Sequence, residues 1–394
     1  MNQLSADTLL ARVQALKPVL RERAEQTDRD RRVSELTIAD LRATGLFRAL
    51  QPSRYGGFEF GFSDMVRMNL AVASGCGSTG WCAGQAVIHN WIMALFPVEA
   101  QDEVWANPDA IVASSYLPVG KCEAVDGGYR ISGQWPWASN CDNAEWFMVG
   151  AMIPPREAGL PPTPMWLIIN RNEATIQDTW HSAGLSGTGS KTIVVDAPLF
   201  VPAHRALPLP VINSTQAPGS VVNTNPMYRL TFAGAAPFAL SSLVVGMAIG
   251  AVDAFEELAR ERKAVQLGGP PLALNTLTHV QLALAEAAAE VDAASTLLLR
   301  DVADVEATLA RGELPDVPMR IRNRRDQAYA ARLASGAVNR LFEALGANVC
   351  MLSHPVQRAW RDVNVATRHI SMAWPVVGAM YAQHRLGLEP RGTY

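Results

Sequence analysis

The stretch LTFAGAAPFALSSLVVGMAIGAV, Leu230 to Val252, carries no charged side chain and is long enough to cross a bilayer. Pro237 interrupts it, and alanine, glycine and serine dilute it. DAFEELARERK follows, and aromatic or basic flanks do not stand on both sides. A segment of this kind has to be hidden from water, and its flanks favour a buried core helix over a membrane span. The surrounding sequence agrees: Ala-rich segments at about 235–263, 275–311, 322–348 and 354–386 place apolar residues three and four apart, the pattern of a four-helix bundle.

The first third is also helical. MNQLSADTLLARVQALKPVLRERAEQ lacks an apolar signal core and reads as an amphipathic helix with Leu9, Leu10, Val13, Leu16 and Leu20 on one face. Ser34 is placed to cap ELTIADLRATG and Ser63 to cap DMVRMNLAVASG, and GWCAGQAVIHNWIMALFP closes at Pro97. Between these regions the texture changes to short β-rich runs, AIVASSY, YRISGQWPW, EWFMVGAMI, MWLIIN and KTIVVD, separated by Gly, Pro and Asn clusters. The expected organisation is a helical domain at 1–107, a β-domain at 108–228 and a helical bundle at 229–394.

With 34 basic and 37 acidic side chains, the net charge is -3. The one dense charge run, RIRNRRD at 320–326, is expected to be a solvated helix face or a subunit contact, so nucleic acid is not an expected partner. Five scattered cysteines without a C-x-x-C pair suggest neither disulfides nor a zinc site and fit a reducing cytoplasm. His181, His204, His279, His354 and His384 form no metal-binding spacing.

GLSGTGSKTIVVD, 184–196, superficially suggests a phosphate loop. Ser190 separates the last glycine from Lys191, however, and a strand rather than a helix should follow. Gly184, Gly187 and Gly189 instead allow a tight connection, with Thr188 and Ser190 free to hydrogen-bond a neighbour. The longer segment GLSGTGSKTIVVDAPLFVPAHR resembles the G-x-x-GTGS…V…FVP-x-HR segment of the monooxygenase branch of the acyl-CoA dehydrogenase fold. RRVSELTIADLRATGLFRALQPSRYGGFE, GSTGWCAGQAVIHNW, VDGGYRISGQWPWASNCDNAEW and LSHPVQRAWRDVNVATRH are similar to the same branch in the same order, from about residue 25 to 387.

This branch comprises two-component, reduced-flavin-dependent hydroxylases of the 4-hydroxyphenylacetate, steroid-phenol and indole type. The resemblance implies an α+β, mainly α chain: an N-terminal helical domain, a central β-barrel domain, and a C-terminal four-helix bundle assembling a homotetramer. It further implies reduced FMN or FAD, O2 as co-substrate, a C4a-hydroperoxide, a small phenolic or indolic substrate, and a separate NAD(P)H-dependent flavin reductase. A nicotinamide site is absent from the pattern, because no G-x-G-x-x-G lies between a strand and a helix.

Where many acyl-CoA dehydrogenases carry a catalytic glutamate, the sequence after Arg361 and Asp362 reads TRHISMAW, with no carboxylate until Glu389. His369 occupies this neighbourhood. A ring that titrates near 6.5 can take a phenolic or indolic proton or stabilise the substrate anion. The resemblance also places His89 at the substrate pocket, with Trp81, Trp91, Ser114 and Trp374 as an aromatic and polar lining. It sets Trp135, Trp137, Ala138 and Ser139 at a strand end facing the flavin, Ser139 near N5, and Ser114 or Ser115 at the neighbouring strand end. Thr188 is a further cofactor contact. Arg262 resembles a helix-end arginine that reaches the nucleotide, and FEALGANV, 342–349, is a second contact across a subunit interface. The alternatives are an acyl-CoA-dehydrogenase-type oxidation, N- or S-oxygenation on the same fold, and a flavin-free binding protein.

Overall fold

The computed structural model describes residues 4–154, 161–266 and 268–394. Helices open the chain: α1 (Ala6–Ala15), α2 (Lys17–Asp30), α3 (Glu35–Thr44), α4 (Phe62–Gly75), α5 (Gly77–Met93) and α6 (Val98–Val104). Pro18, in the first turn of α2, divides the expected N-terminal helix in two, since a proline lacks the N–H that would continue the ladder. Leu9, Leu10, Val13 and Leu20 are buried, and Leu16 is half-buried at the joint. Ser34 caps α3 as expected, its hydroxyl accepting from the Thr37 N–H at 3.2 Å. Ser63 does not cap α4. That helix begins at Phe62, two residues earlier than a Ser63 cap would set, and the Ser63 N–H and hydroxyl both donate to Glu306 from the far end of the chain.

Strands β1 (Val112–Val125), β2 (Gly128–Ala138), β3 (Trp146–Ile153), β4 (Thr163–Asn170), β5 (Thr175–Gln177), β6 (Lys191–Pro202) and β7 (Ala206–Pro208) form one mixed sheet in the order β5-β6-β2-β1-β3-β4-β7. β1 spans two directions of pairing. Val112–Ser115 run parallel to β3, whereas Lys121–Val125 run antiparallel to β2, and the register breaks between Ser115 and Gly120. This irregularity bends the sheet over its own core. The first half of β1, with Ser114 and Ser115, is thereby turned toward α5.

Short helices α7 (Leu209–Ile212) and α8 (Pro218–Val222) lead to α9 (Phe232–Glu261). A small hairpin of β8 (Lys263–Gln266) and β9 (Gly269–Ala273), not anticipated from the sequence, precedes α10 (Thr278–Ala310) and α11 (Val317–Glu343). α9 contains the uncharged segment, up to Val252. Most of its apolar window is buried, and it packs against α4, α5, α10, α11 and α12 as the central rod of the molecule. The fourth long helix expected at 354–386 is instead two, α12 (Pro355–Ala366) and α13 (Trp374–Arg385), with a 3-10 turn at Ile370–Met372 between them. Pro375 opens α13, and His369 takes an extended backbone conformation ahead of the 3-10 turn. His369 sits in that break.

The charge run at 320–326 is not a solvated face. Ile321, Asn323, Arg324 and Asp326 are buried on α11. Arg300, Arg322 and Arg325 converge on the buried carboxylates of Asp301 and Asp326. The run's charges are largely consumed within the bundle.

Candidate active site

α5 carries three of the expected residues, Trp81, His89 and Trp91, of which Trp81 and His89 lie two turns apart along one side. Near its start the Trp81 indole N–H donates to Ser139 Oγ at 3.1 Å, and the Trp81 ring meets His369 edge to face with 6.2 Å between centroids. Three segments distant in sequence, α5, the end of β2 and the α12–α13 break, therefore converge at one point.

The environment of each histidine decides what it can do. His89 is fully buried. Its Nδ1 lies 2.5 Å from the Val112 carbonyl oxygen, and Nε2 lies 3.0 Å from Ser114 Oγ. A carbonyl only accepts, so Nδ1 carries the hydrogen and Nε2 presents a lone pair to the Ser114 hydroxyl. Burial pulls this imidazole down to about 4, against the Val112 bond that raises it. His369 has the opposite polarity. Its Nδ1 accepts from the Ser371 N–H at 3.2 Å, which leaves the neutral ring's hydrogen on Nε2. Burial first and the nearby Arg324 charge second bring it to about 4. At neutral pH His369 is a hydrogen-bond donor at Nε2, which favours stabilising an anion over taking a proton.

Arg324 was not singled out from the sequence. It is buried, donates to the Ser371 carbonyl at 2.7 Å and to Gln327 at 2.9 Å, and burial lowers it to about 10. It thus fixes the turn that holds His369. The signal was present in the spacing Ile321, Arg324, Ala328, Ala331, a buried helical stripe containing one arginine.

The neighbouring strand ends sort differently from their adjacency. Ser114 faces His89, whereas Ser115 is buried and donates to the Pro136 carbonyl at 2.6 Å, tying β1 to β2. Trp135 is fully enclosed by the sheet, its N–H on the Gly150 carbonyl at 2.6 Å, and Ala138 is likewise buried. Trp137 is 61% exposed and holds a left-handed φ of 67°, unusual for a bulky residue and a sign of strain at the strand end. Trp91 is also enclosed, edge-on to Phe62 with its N–H on the Met227 carbonyl. Trp135 and Trp91 therefore sit in the packed core, apart from the polar cluster. Tyr116, unremarked in the sequence, stacks on Trp166 and meets His89 edge-on, and burial raises its phenol well above the ordinary value.

Behind Ser139 lies the glycine-rich turn. Leu185 takes φ 52° and Gly189 φ 53° around a 3-10 turn at Ser186–Thr188, and a strand follows, as expected. Ser139 Oγ is 2.7 Å from Ser190 Oγ, which is 2.6 Å from Thr188 Oγ1. Thr188 lies one hydroxyl behind Ser190, buried. The Arg361–Asp362 pair anchors the turn. Arg361 binds Asp28 at 2.7 Å and the Ala183 carbonyl at 2.9 Å, while the Asp362 carboxylate accepts from the Leu185 N–H at 2.6 Å. Burial pushes Asp362 up to about 7.

Beside His369 opens a cavity of about 490 Å3, walled by Arg332, Ser335, Thr367, Arg368, Met372 and Trp374. Arg332 lies 5.3 Å from the Trp374 ring centroid, and Arg368 donates to the Thr367 hydroxyl at 3.2 Å. The two guanidinium groups and two hydroxyls of this cavity are donors suited to the phosphate end of a flavin nucleotide, whereas Ser139 and Trp81 lie outside its lining. Arg262, in contrast, is exposed at the end of α9, near His354, and does not line this cavity.

This architecture defines an acyl-CoA dehydrogenase-like fold, with a neutral histidine, His369, in the break between α12 and α13. Residues 238–374 match the family model for the acyl-CoA dehydrogenase C-terminal domain. The chain is 42% identical to the oxygenase component of an FADH2-dependent resorcinol hydroxylase of Rhizobium sp. (strain MTP-10005), over 98% of this chain and 96% of that one. The structure aligns with the HsaA monooxygenase from M. tuberculosis at a TM-score of 0.90, with 36% identity and 99% of each chain covered. XiaF from Streptomyces sp., in complex with FADH2 and glycerol, aligns at 0.87, with 25% identity, over 99% of this chain and 98% of that one. The chain belongs to the reduced-flavin-dependent monooxygenases of this fold. Its relatives are oxygenase components of flavin-dependent hydroxylases and monooxygenases.

Proposed function

We propose that the substrate is a small phenol and that the His89–Ser114 pair takes its proton. The observation that carries this is the 2.5 Å contact between His89 Nδ1 and the Val112 carbonyl, which forces the accepting nitrogen toward Ser114. A phenolic O–H donating to Ser114 Oγ passes its proton to that oxygen as the serine's own proton moves to His89 Nε2. The resulting phenolate is the more nucleophilic ring. Reduced flavin with O2 supplies one oxygen atom to the ring and releases the other as water. His369 offers its Nε2–H to negative charge in the pocket, and Ser139 and Trp81 border the flavin. A phenolic substrate agrees with the resorcinol hydroxylase relative.

The test is hydroxylation by His89→Ala and Ser114→Ala across pH. Both should lose on the order of 10²-fold at pH 7, and the deficit should shrink toward pH 10, where a phenol ionises without help. A loss that stays constant with pH would overturn the base assignment.

The working enzyme is a cytoplasmic homotetramer whose segments 1–107, 108–228 and 229–394 are its folding units, and its reductase draws on NAD(P)H. Met351, Leu352, Ile370, Val376, Leu386 and Leu388 are all more than half exposed near the end of this chain, an apolar surface that a neighbouring subunit would cover. All five cysteines are free thiols, in keeping with a reducing compartment. A dehydrogenase reaction finds little support. Asp362, the acid nearest His369 in sequence, is sealed behind Leu185.

A further inference from the structure

The hydroxyls behind Ser139 form a chain whose direction is set at both ends. At one end Thr188 Oγ1 donates to the Leu185 carbonyl at 2.7 Å, and a carbonyl cannot donate in return. The only hydroxyl hydrogen of Thr188 is thereby used, so the 2.6 Å contact with Ser190 has Ser190 donating. With its hydrogen committed, Ser190 Oγ receives at 2.7 Å from Ser139. At the other end the Trp81 indole N–H, a donor only, points at Ser139 Oγ from 3.1 Å. The single hydrogen of Ser139 therefore faces away from the pocket, and Ser139 Oγ shows the pocket a lone pair.

Thr188 and Ser190 are buried, so no water competes for these bonds. The anchoring residue is also fixed: the Leu185 carbonyl accepts from the Trp180 indole N–H at 2.9 Å and from the Thr188 N–H at 3.1 Å, and the Leu185 N–H donates to Asp362.

We propose that Ser190 and Thr188 are positioning residues that lock Ser139 as a hydrogen-bond acceptor and so make the site select reduced over oxidised flavin. The two redox states differ at N5: reduced flavin carries an N–H there and donates, whereas oxidised flavin presents a lone pair and accepts. A locked acceptor bonds the first and faces the second lone pair to lone pair. This supplies a reason, within this chain, for an oxygenase to take up the reduced flavin its reductase delivers and to release the oxidised product. It rests on the reading that the flavin ring lies against Ser139.

The experiment measures dissociation constants of reduced flavin, under anaerobic conditions, and of oxidised flavin, on the full-length protein and its variants. Ser190→Ala frees the Ser139 hydrogen to turn into the pocket. Thr188→Val does the same by one step, since Ser190 can then donate back to Ser139. Each should lower the ratio of oxidised to reduced dissociation constants on the order of ten-fold, one net hydrogen bond exchanged. The potential of the bound flavin should fall by about 30 mV, the equivalent of ten-fold for a two-electron couple. Thr188→Ser, which keeps the hydroxyl, should keep the ratio.

A variant that merely loosened the turn would weaken both redox states alike and leave the ratio intact, and that result in both Ser190→Ala and Thr188→Val would overturn the proposal. Ser139→Ala separates the two levels. If it lowers the ratio while the Ser190 and Thr188 variants do not, the flavin lies at Ser139 but the chain does not set its polarity. If it changes neither affinity, the flavin does not lie there, and the underlying reading fails with the proposal.

Discussion

Two histidines in one site have opposite tautomers because one is held by a carbonyl and the other by an amide N–H. If His369 is a donor at Nε2, His369→Ala should consume reduced flavin and oxygen while releasing hydrogen peroxide in place of hydroxylated product, and His369→Gln, which keeps an N–H donor, should recover part of the coupling. Product formed per flavin oxidised is the measurement, and equal coupling in all three proteins would make the histidine structural. The same burial predicts a pH dependence of stability. An unfolded histidine titrates near 6.5, and His89 and His369 titrate at about 4 when folded, so between these values the unfolded chain binds more protons. Their contribution, up to about 3 kcal/mol each, is fully present above pH 6.5 and is lost as the pH falls to about 4. Asp362, raised to about 7, has the opposite sign, since its folded form holds the extra proton. Urea unfolding of His369→Asn should show a flatter loss of stability between pH 6.5 and 4 than the parent.

The glycine-rich turn is the element through which the helical domain, the sheet and α12 meet. A Cβ on Gly187 would lie 2.5 Å from the Thr27 side chain and 2.7 Å from its carbonyl oxygen on α2. One on Gly184 would lie 2.3 Å from the Arg361 carbonyl on α12. Backbone cannot yield as a flexible side chain does, so Gly187→Ala should destabilise by about 2–3 kcal/mol. It should also weaken binding of both flavin redox states, because the displaced turn carries Thr188 and Ser190. Thermal melting and flavin titration check this, and a parental melting temperature would mean that α2 moves aside freely. The break between α12 and α13 shows the limit of periodicity. Apolar spacing runs on through 354–386 as if one helix continued, yet Pro375 and the extended His369 stop it. Likewise, Ser63 has the right residue type for a cap, but Glu306 from α10 reaches its N–H first, which no local pattern can foresee.

At the scale of the whole molecule, α9 runs through the centre and touches both helical regions, which accounts for the absence of charge from Phe232 to Val252. Apolar residues remain exposed near the C-terminal end. A sedimentation or light-scattering measurement at micromolar concentration should give four times the 42.6 kDa chain mass. A persistent monomer would mean that this surface faces solvent.

The sequence alone determined the order of helical, β and helical regions, because hydrophobic period is a local property of the chain. It also determined the buried character of 230–252 and the resemblance carried by the segments around Trp81, Ser139, Gly187 and Asp362. The tertiary structure decided which atoms of those segments face one another. Ser114 rather than Ser115 meets His89, Trp135 and Trp91 close the core, and Arg324 folds inward from a run that reads as solvated. The direction of every hydrogen bond in the site also came from the fold. A histidine or a serine is both donor and acceptor until its neighbours fix one role, and here those neighbours, Val112 for His89 and Leu185 at the end of the Ser139 chain, are backbone groups brought in by the fold.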